Sequence, residues 1–247
     1  MLLKGKTAVI TGSNKGIGLS TLKALSENGA NIFACVRNID DEFNKEIELI
    51  KEKFSNEIFP ISLDLSDENK IKEATTKILN FNKKIDILIN NAGAIDTSLF
   101  QMTTKKQLKE LFDINFFSQS FFTQSILKSL TKSSEGSIIY ISSTSALDAN
   151  EGRSSYSATK AAIIAQAKVL SRELGRYNIR VNVIAPGLID TNMMKNNHSE
   201  AVIKDIVSRT SLKKIGSPED VANVVVFLSS KLSSHITGQV IRVDGGL

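Results

Sequence analysis

The chain has 247 residues, 41% of them hydrophobic and 23% charged, and this ordinary globular composition excludes a disordered or low-complexity protein. A single cysteine excludes a disulfide framework and a cysteine-based zinc site, and two histidines far apart in sequence provide no metal-ligand motif. The formal net charge of +5 comes largely from lysines spread along the chain, so we expect a solvated surface and no nucleic-acid partner.

Apolar runs in this sequence are too short to span a bilayer, and the first residues contain no stretch long enough for a secretory signal. We therefore expect a cytoplasmic protein with no membrane partner.

Short apolar segments alternate with longer segments of helical periodicity from one end of the chain to the other. The predicted strands are residues 7–10, 31–36, 58–63, 85–90, 137–141, 179–184 and 240–243. The predicted helices are residues 16–27, 41–54, 67–79, 105–130, 155–177 and 218–228. The strand segments are nearly continuous apolar runs without polar alternation, which is typical of strands buried on both faces of a parallel sheet.

No linker, repeat or change of composition interrupts this alternation. We therefore predict one doubly wound α/β domain over residues 1–247, a Rossmann fold with a mostly parallel seven-stranded sheet and helices on both faces. The segment 188–210 has no clear assignment beyond a short helical pattern. Because it follows the carboxyl end of a strand, we interpret it as a lid over a substrate, the alternative being a surface excursion.

A glycine-rich loop with the sequence TGSNKGIG, residues 11–18, follows the first predicted strand and opens the first predicted helix. In this position backbone N–H groups and the helix N-terminus can face a pyrophosphate. The glycine spacing is G-x-x-x-G-x-G, which differs from the G-x-G-x-x-G dinucleotide pattern. The candidate phosphate-binding residues are Gly12, Ser13, Asn14, Lys15, Gly16, Ile17 and Gly18.

The choice between the two nicotinamide dinucleotides depends on the end of the second predicted strand. There an acidic residue would bind the ribose 2′-hydroxyl, whereas a basic residue would accommodate a 2′-phosphate. The strand is followed by Arg37, and Lys15 stands in the glycine loop. Asp40 and Asp41 lie further on and are expected to cap the next helix. The sequence therefore predicts NADPH as the cofactor.

A tyrosine and a lysine begin another predicted helix in the sequence YSATK, residues 156–160. Tyr156 and Lys160 are four residues apart and share one helix face, so the ammonium group is expected to lower the pKa of the phenol. Ser142 and Ser143 follow the fifth predicted strand and should lie at the same edge of the sheet. These groups together could protonate a substrate oxygen.

Taken in order along the chain, these motifs resemble those of the one-domain short-chain dehydrogenases/reductases. The matching elements are TGSNKGIG (11–18), Asp64 in LDLS, NNAG (90–93), Asn115, Ser143, YSATK (156–160) and PGLIDT (186–191). They cover essentially the whole chain. The resemblance implies NADPH-dependent reduction of a ketone, and a homotetramer or homodimer, because members of the family commonly pair through the corresponding helices.

The resemblance also implies individual roles. Tyr156 would be the general acid, Lys160 would lower its pKa and bind the nicotinamide ribose, Ser143 would hold the substrate carbonyl, and Asn115 would hold a water molecule for proton relay. Further cofactor-binding residues implied by the resemblance are Asp64, Leu65, Asn91, Ala92, Gly93, Pro186, Gly187, Ile189 and Thr191.

The C-terminal segment GSPEDVANVVVFLSS…HITGQVIRVDGG resembles bacterial 3-oxoacyl-acyl-carrier-protein reductases. A 3-oxoacyl thioester, carried by acyl carrier protein or CoA, is therefore the expected substrate. Alternatives are another ketone or alcohol, from surface-sugar, polyketide or xenobiotic metabolism, and a cofactor-binding scaffold without catalysis.

Two features depart from that subgroup. Residues 133–135 read Ser-Ser-Glu, and Arg176 is followed by Tyr177, where the reductases often carry cations that hold the acidic carrier. Arg153 stands where the subgroup often has glutamine. It is either a substrate residue that holds an anionic group or a solvent-exposed arginine.

Overall fold

A parallel sheet of seven strands forms the centre of the protein, whose computed structural model describes residues 1–81 and 84–247. The strands are β1 (Thr7–Thr11), β2 (Asn31–Val36), β3 (Ile58–Ser62), β4 (Ile87–Asn90), β5 (Gly136–Ile141), β6 (Ile179–Pro186) and β7 (Val240–Val243). Their order across the sheet is β3-β2-β1-β4-β5-β6-β7, and every neighbouring pair is parallel. This arrangement confirms the predicted fold class.

Helices cover both faces of the sheet. They are α1 (Gly16–Glu27), α2 (Asp41–Phe54), α3 (Glu68–Asn80), α4 (Lys105–Phe112), α5 (Ser118–Leu130), α6 (Ser145–Asp148), α7 (Ser154–Glu173), α8 (Asn192–Asn197), α9 (Glu200–Arg209) and α10 (Pro218–Ser229). In the described part of the chain, none combines the length and the hydropathy that a membrane span requires.

Two predicted helices differ from the observed ones. The segment predicted as one helix over 105–130 contains a π-helical turn at Asp113–Phe117 between α4 and α5. The helix predicted over 155–177 ends at Glu173, and a 3₁₀ turn at Gly175–Tyr177 follows. Glycine commonly ends a helix because it loses more backbone entropy in a helix than other residues do.

Apolar residues on the strands alternate between two cores, one on each face of the sheet. On β1, Ala8 and Ile10 belong to the core beneath α1 and α10, whereas Val9 belongs to the core beneath α5 and α7. All three side chains are fully buried. Because both faces are covered, most strand residues are apolar, which explains the nearly continuous apolar segments of the sequence; a buried polar exception, Asn182, donates a hydrogen bond to the carbonyl oxygen of Ile236.

The sheet reverses its order between β1 and β4, because the chain crosses from β3 at one edge to β4 on the other side of β1. In doubly wound sheets, ligands bind outside the carboxyl ends of the strands at such a reversal. The loops after β1, β4, β5 and β6 therefore carry the candidate site.

Candidate active site

A cleft of about 1780 Å³ lies at the carboxyl ends of the strands. It is lined by the glycine loop after β1 and by the loops after β4, β5 and β6. The site residues predicted from the sequence that line it are Gly12, Asn14, Lys15, Gly16, Ile17, Gly18, Arg37, Leu65, Asn91, Ala92, Gly93, Ser143, Arg153, Tyr156, Lys160, Pro186, Gly187, Ile189 and Thr191.

The glycine loop turns so tightly that side chains are excluded at two positions. Gly12 has a φ of 69°, and a Cβ atom there would lie 3.0 Å from the Cα of Ala92. A Cβ atom on Gly18 would lie 1.9 Å from the carbonyl oxygen of Gly12, which is closer than any real contact. Because the backbone itself occupies this space, the first turn of α1 can approach the end of β1 only with glycine at these positions.

Helix α1 begins at this loop. In the described part of the chain, the side chain of its N-cap residue, Lys15, makes no hydrogen bond with the backbone N–H groups of the first turn. Its first turn contains no acidic residue. Uncapped N–H groups together with the helix dipole favour a bound anion, so the loop fits a pyrophosphate. Ser13 does not line the cleft as predicted. Its N–H and its hydroxyl donate instead to the carbonyl oxygen of Cys35 on β2, which anchors the loop to the sheet.

At the other end of the cleft, Arg37 follows β2 and is largely exposed. Its Nε lies 3.6 Å from Oδ2 of Asp64, an ion pair that the sequence analysis did not predict. Asp64 also accepts hydrogen bonds from the N–H and hydroxyl of Ser66, and these contacts and Arg37 hold the pKa of its carboxyl below the usual value although burial opposes them. Leu65 lines the cleft, whereas Asp64 lies outside its lining.

Of the two acidic residues after β2, Asp40 lines this cleft and Asp41 does not. Asp40 is the N-cap of α2, and its carboxylate accepts a hydrogen bond of 2.8 Å from the N–H of Phe43. Asp41 is the first residue of that helix. The predicted capping role is therefore confirmed for Asp40, whereas Asp41 lies in the first turn and its charge suits the positive end of the helix.

The loop after β4 is joined to the glycine loop by hydrogen bonds. Nδ2 of Asn91 donates to the carbonyl oxygens of Thr11 and Gly12, at 2.9 and 3.1 Å. The hydroxyl of Thr11 accepts the N–H groups of Asn91 and Ala92, each at 3.0 Å. Asn91 therefore fixes the relative positions of the two loops, and Ala92 and Gly93 form the floor of the cleft.

Lys160 is almost completely buried on α7, and its Nζ donates a hydrogen bond of 2.8 Å to the carbonyl oxygen of Ile141 at the end of β5. Burial lowers the pKa of Lys160 from 10.5 to about 8. A Cβ atom on Gly93 would lie 3.3 Å from this Nζ. A side chain at position 93 would therefore crowd this ammonium group and also the Oδ1 of Asn115, which lies 3.1 Å from the same Cβ position.

Tyr156 lies one helical turn before Lys160, with its ring centroid 5.8 Å from the lysine Nζ. Burial raises the pKa of Tyr156, and a hydrogen bond with Ser143 and the positive charge of Arg153 oppose this effect. The net shift of this pKa is therefore upward, not the downward shift that the sequence analysis expected, because desolvation of the phenol outweighs the opposing contacts.

Of the two serines after β5, Ser143 is the one that contacts Tyr156. Ser142 is buried and donates a hydrogen bond of 3.0 Å to the backbone carbonyl of Lys160. Both serines line the cleft, but the hydroxyl of Ser142 attaches β5 to α7, whereas Ser143 contacts the phenol.

Asn115 is fully buried in the π-helical turn and lies beneath the cleft rather than in its lining. Its Oδ1 accepts the N–H of Ala94, and its Nδ2 donates to the carbonyl of Ala94, each at 2.8 Å. A third hydrogen bond, of 3.1 Å, joins Nδ2 to the hydroxyl of Thr159 on α7. The side chain thus clamps the loop after β4 to the helix that carries Tyr156.

The loop after β6 closes the cleft on its fourth side. Thr191 is the N-cap of α8 and accepts the N–H of Met194 at 3.2 Å. A Cβ atom on Gly16 would lie 3.2 Å from Cγ2 of Thr191, so this loop packs directly on the glycine loop. The segment 188–210 is not irregular, because it contains α8 and α9, with Ser199 as the N-cap of α9.

Arg153 is buried, with 6% of its surface exposed, so the solvent-exposed alternative was wrong. Its guanidinium contacts the carbonyl oxygens of Asp96 and Asn197 and the Nε2 of His198. The sequence analysis did not single out His198. Forty-five residues separate it from Arg153, and only its position in the unassigned segment 188–210 could have pointed to it.

The chain resembles known proteins along its whole length. A family model described as enoyl-(acyl carrier protein) reductase matches residues 12–247. The 3-oxoacyl-[acyl-carrier-protein] reductase of Thermotoga maritima is 35% identical over 247 residues, which cover 100% of this chain and 99% of the relative. A 3alpha-hydroxysteroid dehydrogenase of Mediterraneibacter gnavus is 32% identical over 246 residues, covering 99% of this chain and 98% of the relative.

Solved structures are also similar to this chain along its length. A 7 alpha-hydroxysteroid dehydrogenase in complex with NADH and 7-oxo glycochenodeoxycholic acid superposes with a TM-score of 0.93 at 30% identity, covering 99% of this chain and 94% of that chain. A 3-oxoacyl-[acyl-carrier protein] reductase from Brucella melitensis gives a TM-score of 0.90 at 29% identity, covering 100% of this chain and 92% of that chain.

Proposed function

The chain belongs to the short-chain dehydrogenase/reductase family, and from this premise we propose that it reduces the ketone of a 3-oxoacyl thioester to the 3-hydroxyacyl form with NADPH. The observation that carries the proposal is the meeting of Ser143, Tyr156 and Lys160 in one cleft with the glycine loop of α1. The full-length similarity to 3-oxoacyl-acyl-carrier-protein reductases supports the substrate class.

The cleft residues fit a nicotinamide dinucleotide. The uncapped start of α1 and the backbone of Gly12–Gly18 suit the pyrophosphate, and the loop after β6 with Thr191 lies against them. Arg37 and Lys15 both line the cleft, and their charges favour a cofactor with a 2′-phosphate. The carboxylate of Asp40, which also lines the cleft, is engaged through Oδ1 in capping α2.

When bound, the nicotinamide supplies a hydride for the carbonyl carbon of the substrate. The hydroxyls of Ser143 and Tyr156, which contact each other, then both reach the carbonyl oxygen. Tyr156 gives its proton to that oxygen as negative charge develops there, and the alcohol is formed. Its raised pKa keeps the phenol protonated before the reaction, as a general acid requires.

Lys160 supports this step through its charge. With a pKa of about 8, the side chain is mainly protonated at neutral pH and stabilises the tyrosinate that remains after proton transfer. Asn115 acts indirectly, because its clamp on Ala94 and Thr159 fixes the loop after β4 against α7. Its implied role in holding a relay water stays a prediction.

A second candidate substrate is a larger apolar ketone such as an oxosteroid. The lining of the cleft includes exposed apolar side chains, among them Met193 and Val202. Two relatives are described as hydroxysteroid dehydrogenases. The departures at residues 133–135 and at Tyr177 remove cations that would attract an acidic carrier protein.

The test is oxidation of NADPH by the purified protein with a 3-oxoacyl-carrier thioester, its CoA analogue and an oxosteroid as parallel substrates. An enoyl thioester of the same chain length serves as the control for carbon–carbon double-bond reduction. We expect turnover of the 3-oxoacyl thioesters and none of the enoyl thioester. Turnover of the oxosteroid alone would contradict the 3-oxoacyl thioester as the substrate but would still agree with ketone reduction as the reaction.

Assembly as a homotetramer or homodimer stays a prediction. It agrees with exposed apolar side chains on two neighbouring helical segments, Phe117 and Val169. Sedimentation measurements at several protein concentrations would test it.

A further inference from the structure

Three segments meet at Arg153, at the mouth of the cleft. Its Nη1 lies 3.4 Å from the carbonyl oxygen of Asp96, in the loop after β4. Its Nη2 lies 3.3 Å from the carbonyl oxygen of Asn197, at the end of α8, and 3.1 Å from Nε2 of His198. Arg153 itself is the residue before α7, the helix that carries Tyr156. One guanidinium therefore joins the loop after β4 and the segment after β6 to the start of the catalytic helix.

The contact with His198 defines the protonation of the imidazole. A guanidinium only donates hydrogen bonds, so Nε2 of His198 has to accept, and the ring proton is on Nδ1. Nδ1 lies 3.2 Å from the carbonyl oxygen of Met194, which can accept this proton. Burial and the charge of Arg153 lower the pKa of His198, although its bond to Met194 opposes them, so the neutral form that this contact needs is favoured.

The segment after Met194 has little apolar anchorage of its own. Of the described residues 195–209, none is buried, whereas Met194 and Thr210 at its two ends are. Local stability depends on buried contacts, so a segment of this kind opens at low free-energy cost unless polar contacts hold it. Among the described residues, the polar contacts that join α8 to other parts of the cleft include those of Arg153, one between Thr97 and Asn197 at 3.5 Å, and an exposed ion pair of Lys195 with Asp190 in the loop that leads into α8.

Arg153 also acts on the catalytic tyrosine through its charge. It precedes Tyr156 by three residues, one helical turn, and its positive charge opposes the rise in the pKa of Tyr156 that burial causes. The same residue therefore connects the position of the segment 192–209 with the acidity of the phenol.

We propose that Arg153 is a positioning residue that holds the segment 192–209 closed over Tyr156 through Asn197 and His198 and places a positive charge beside the phenol. The kinetic part of this inference rests on the proposed function, whereas the closure does not. It gives the buried arginine a role different from the binding of an anionic substrate group.

Closure is tested without any substrate, by hydrogen exchange of the backbone amides in residues 195–209. We compare Arg153→Ala with Arg172→Ala, a control at an exposed position on the same helix. We expect exchange about tenfold faster in Arg153→Ala alone, as for the loss of one charge-assisted hydrogen bond. Unchanged exchange would overturn the proposal.

His198→Phe provides a second variant that keeps Arg153 and the ring shape but removes the acceptor. It should accelerate exchange in the same segment, and a protected segment in this variant would show that the contact with His198 does not hold the closure. Because neither measurement needs turnover, both remain decisive if none of the ketones proves to be a substrate.

The effect on Tyr156 is tested in the oxidative direction, where the phenol has to lose its proton and the rate rises with pH through its pKa. Arg153→Ala should move this rise to higher pH, and Arg153→Lys should restore it while leaving exchange fast, because lysine keeps the charge and lacks the planar fork. The charged and titratable groups around this junction are Lys160, Asp96, His198, Asp190, Lys195 and Glu200.

An unmoved pH profile in Arg153→Ala would overturn the electrostatic part. A KM increase confined to anionic ketones, with unchanged exchange in residues 195–209, would show instead that the guanidinium binds substrate.

Discussion

Replacing Lys160 by methionine should make the protein more stable and inactive. The ammonium group is buried between β5 and α7, and burial lowers its pKa from 10.5 to about 8. This difference means that keeping the side chain charged destabilises the folded state by about 3 kcal/mol at neutral pH. Methionine has a similar length and carries no charge, so it removes this cost.

One favourable interaction is lost in the same substitution. The hydrogen bond of 2.8 Å from Nζ to the carbonyl oxygen of Ile141 contributes about 1–2 kcal/mol. The expected net gain in the free energy of unfolding of Lys160→Met is therefore about 1–2 kcal/mol at neutral pH. Ketone reduction should be lost, because the charge that stabilises the tyrosinate of Tyr156 is absent.

The gain should depend on pH in a defined direction. Below about pH 8 the folded protein carries the charged lysine and bears the full cost. Between about pH 8 and 10.5 the unfolded chain keeps the proton that the folded protein has released, so the stability of the parent protein rises relative to the variant. The advantage of Lys160→Met should shrink through this range and become a deficit of about 1–2 kcal/mol above it, where the lost hydrogen bond to Ile141 is the remaining difference.

Urea unfolding followed by circular dichroism measures this effect, since the chain has no tryptophan for fluorescence. Lys168→Met is the control, because Lys168 lies on the same helix and is exposed. The midpoint should increase for Lys160→Met with an unchanged slope, and not for the control. A variant less stable than the parent at neutral pH, or a gain that does not change with pH, would refute the argument from burial.

Three further substitutions test the site. Tyr156→Phe should reduce turnover by about 100-fold or more and leave the dissociation constant for NADPH unchanged in a binding titration; turnover close to the parent's would contradict the role as general acid. Arg37→Ala should weaken NADPH about 30-fold and NADH little, and equal effects on both would argue against a 2′-phosphate contact. Gly18→Ala should lower the unfolding midpoint by the equivalent of about 1–3 kcal/mol and impair cofactor binding, because its Cβ would collide with the backbone of Gly12. Gly175→Ala, where a Cβ atom meets open space, should do neither.

The sheet could be predicted from the sequence because its strands are buried on both faces. Each of the seven apolar segments overlaps an observed strand, and the largest differences are two residues, at the end of β6 and at the start of β4, where Asp86 precedes the strand. Asp86 is fully buried and accepts hydrogen bonds from the N–H of Thr7 and the hydroxyl of Ser133. This polar residue therefore stands within the predicted segment 85–90 but just before the observed strand, which begins at Ile87.

The π-helical turn at Asp113–Phe117 could not be predicted in the same way. It inserts a residue into a continuous helical segment, and the apolar pattern on either side still has the helical period. The signal would have been a shift in the phase of that pattern around Asn115, which four nearby phenylalanines obscure. The helices α8 and α9 were missed for a different reason, since they bury almost no apolar face.

Within the site, the sequence identified backbone positions better than side-chain directions. The spacing of the glycines and of Tyr156 and Lys160 follows from chain geometry, so these residues could be placed in one cleft. The direction of Ser13 toward Cys35, and the pairing of Arg37 with Asp64, depend on contacts between separate segments. No local pattern in the sequence encodes such contacts.

The pair of Tyr156 and Lys160 explains why the site has to be built from so many supporting contacts. Burial opposes the charged form of both side chains, raising the pKa of the phenol and lowering that of the amine. Proton transfer to a substrate creates a tyrosinate, and the nearby cations compensate its charge only if they stay in place. The hydrogen bond of Lys160 to Ile141, the clamp of Asn115 and the contacts of Arg153 each fix one of these distances. The destabilising burial of Lys160 is therefore the condition under which its charge acts strongly on the phenol, since the same low-polarity surroundings strengthen both effects.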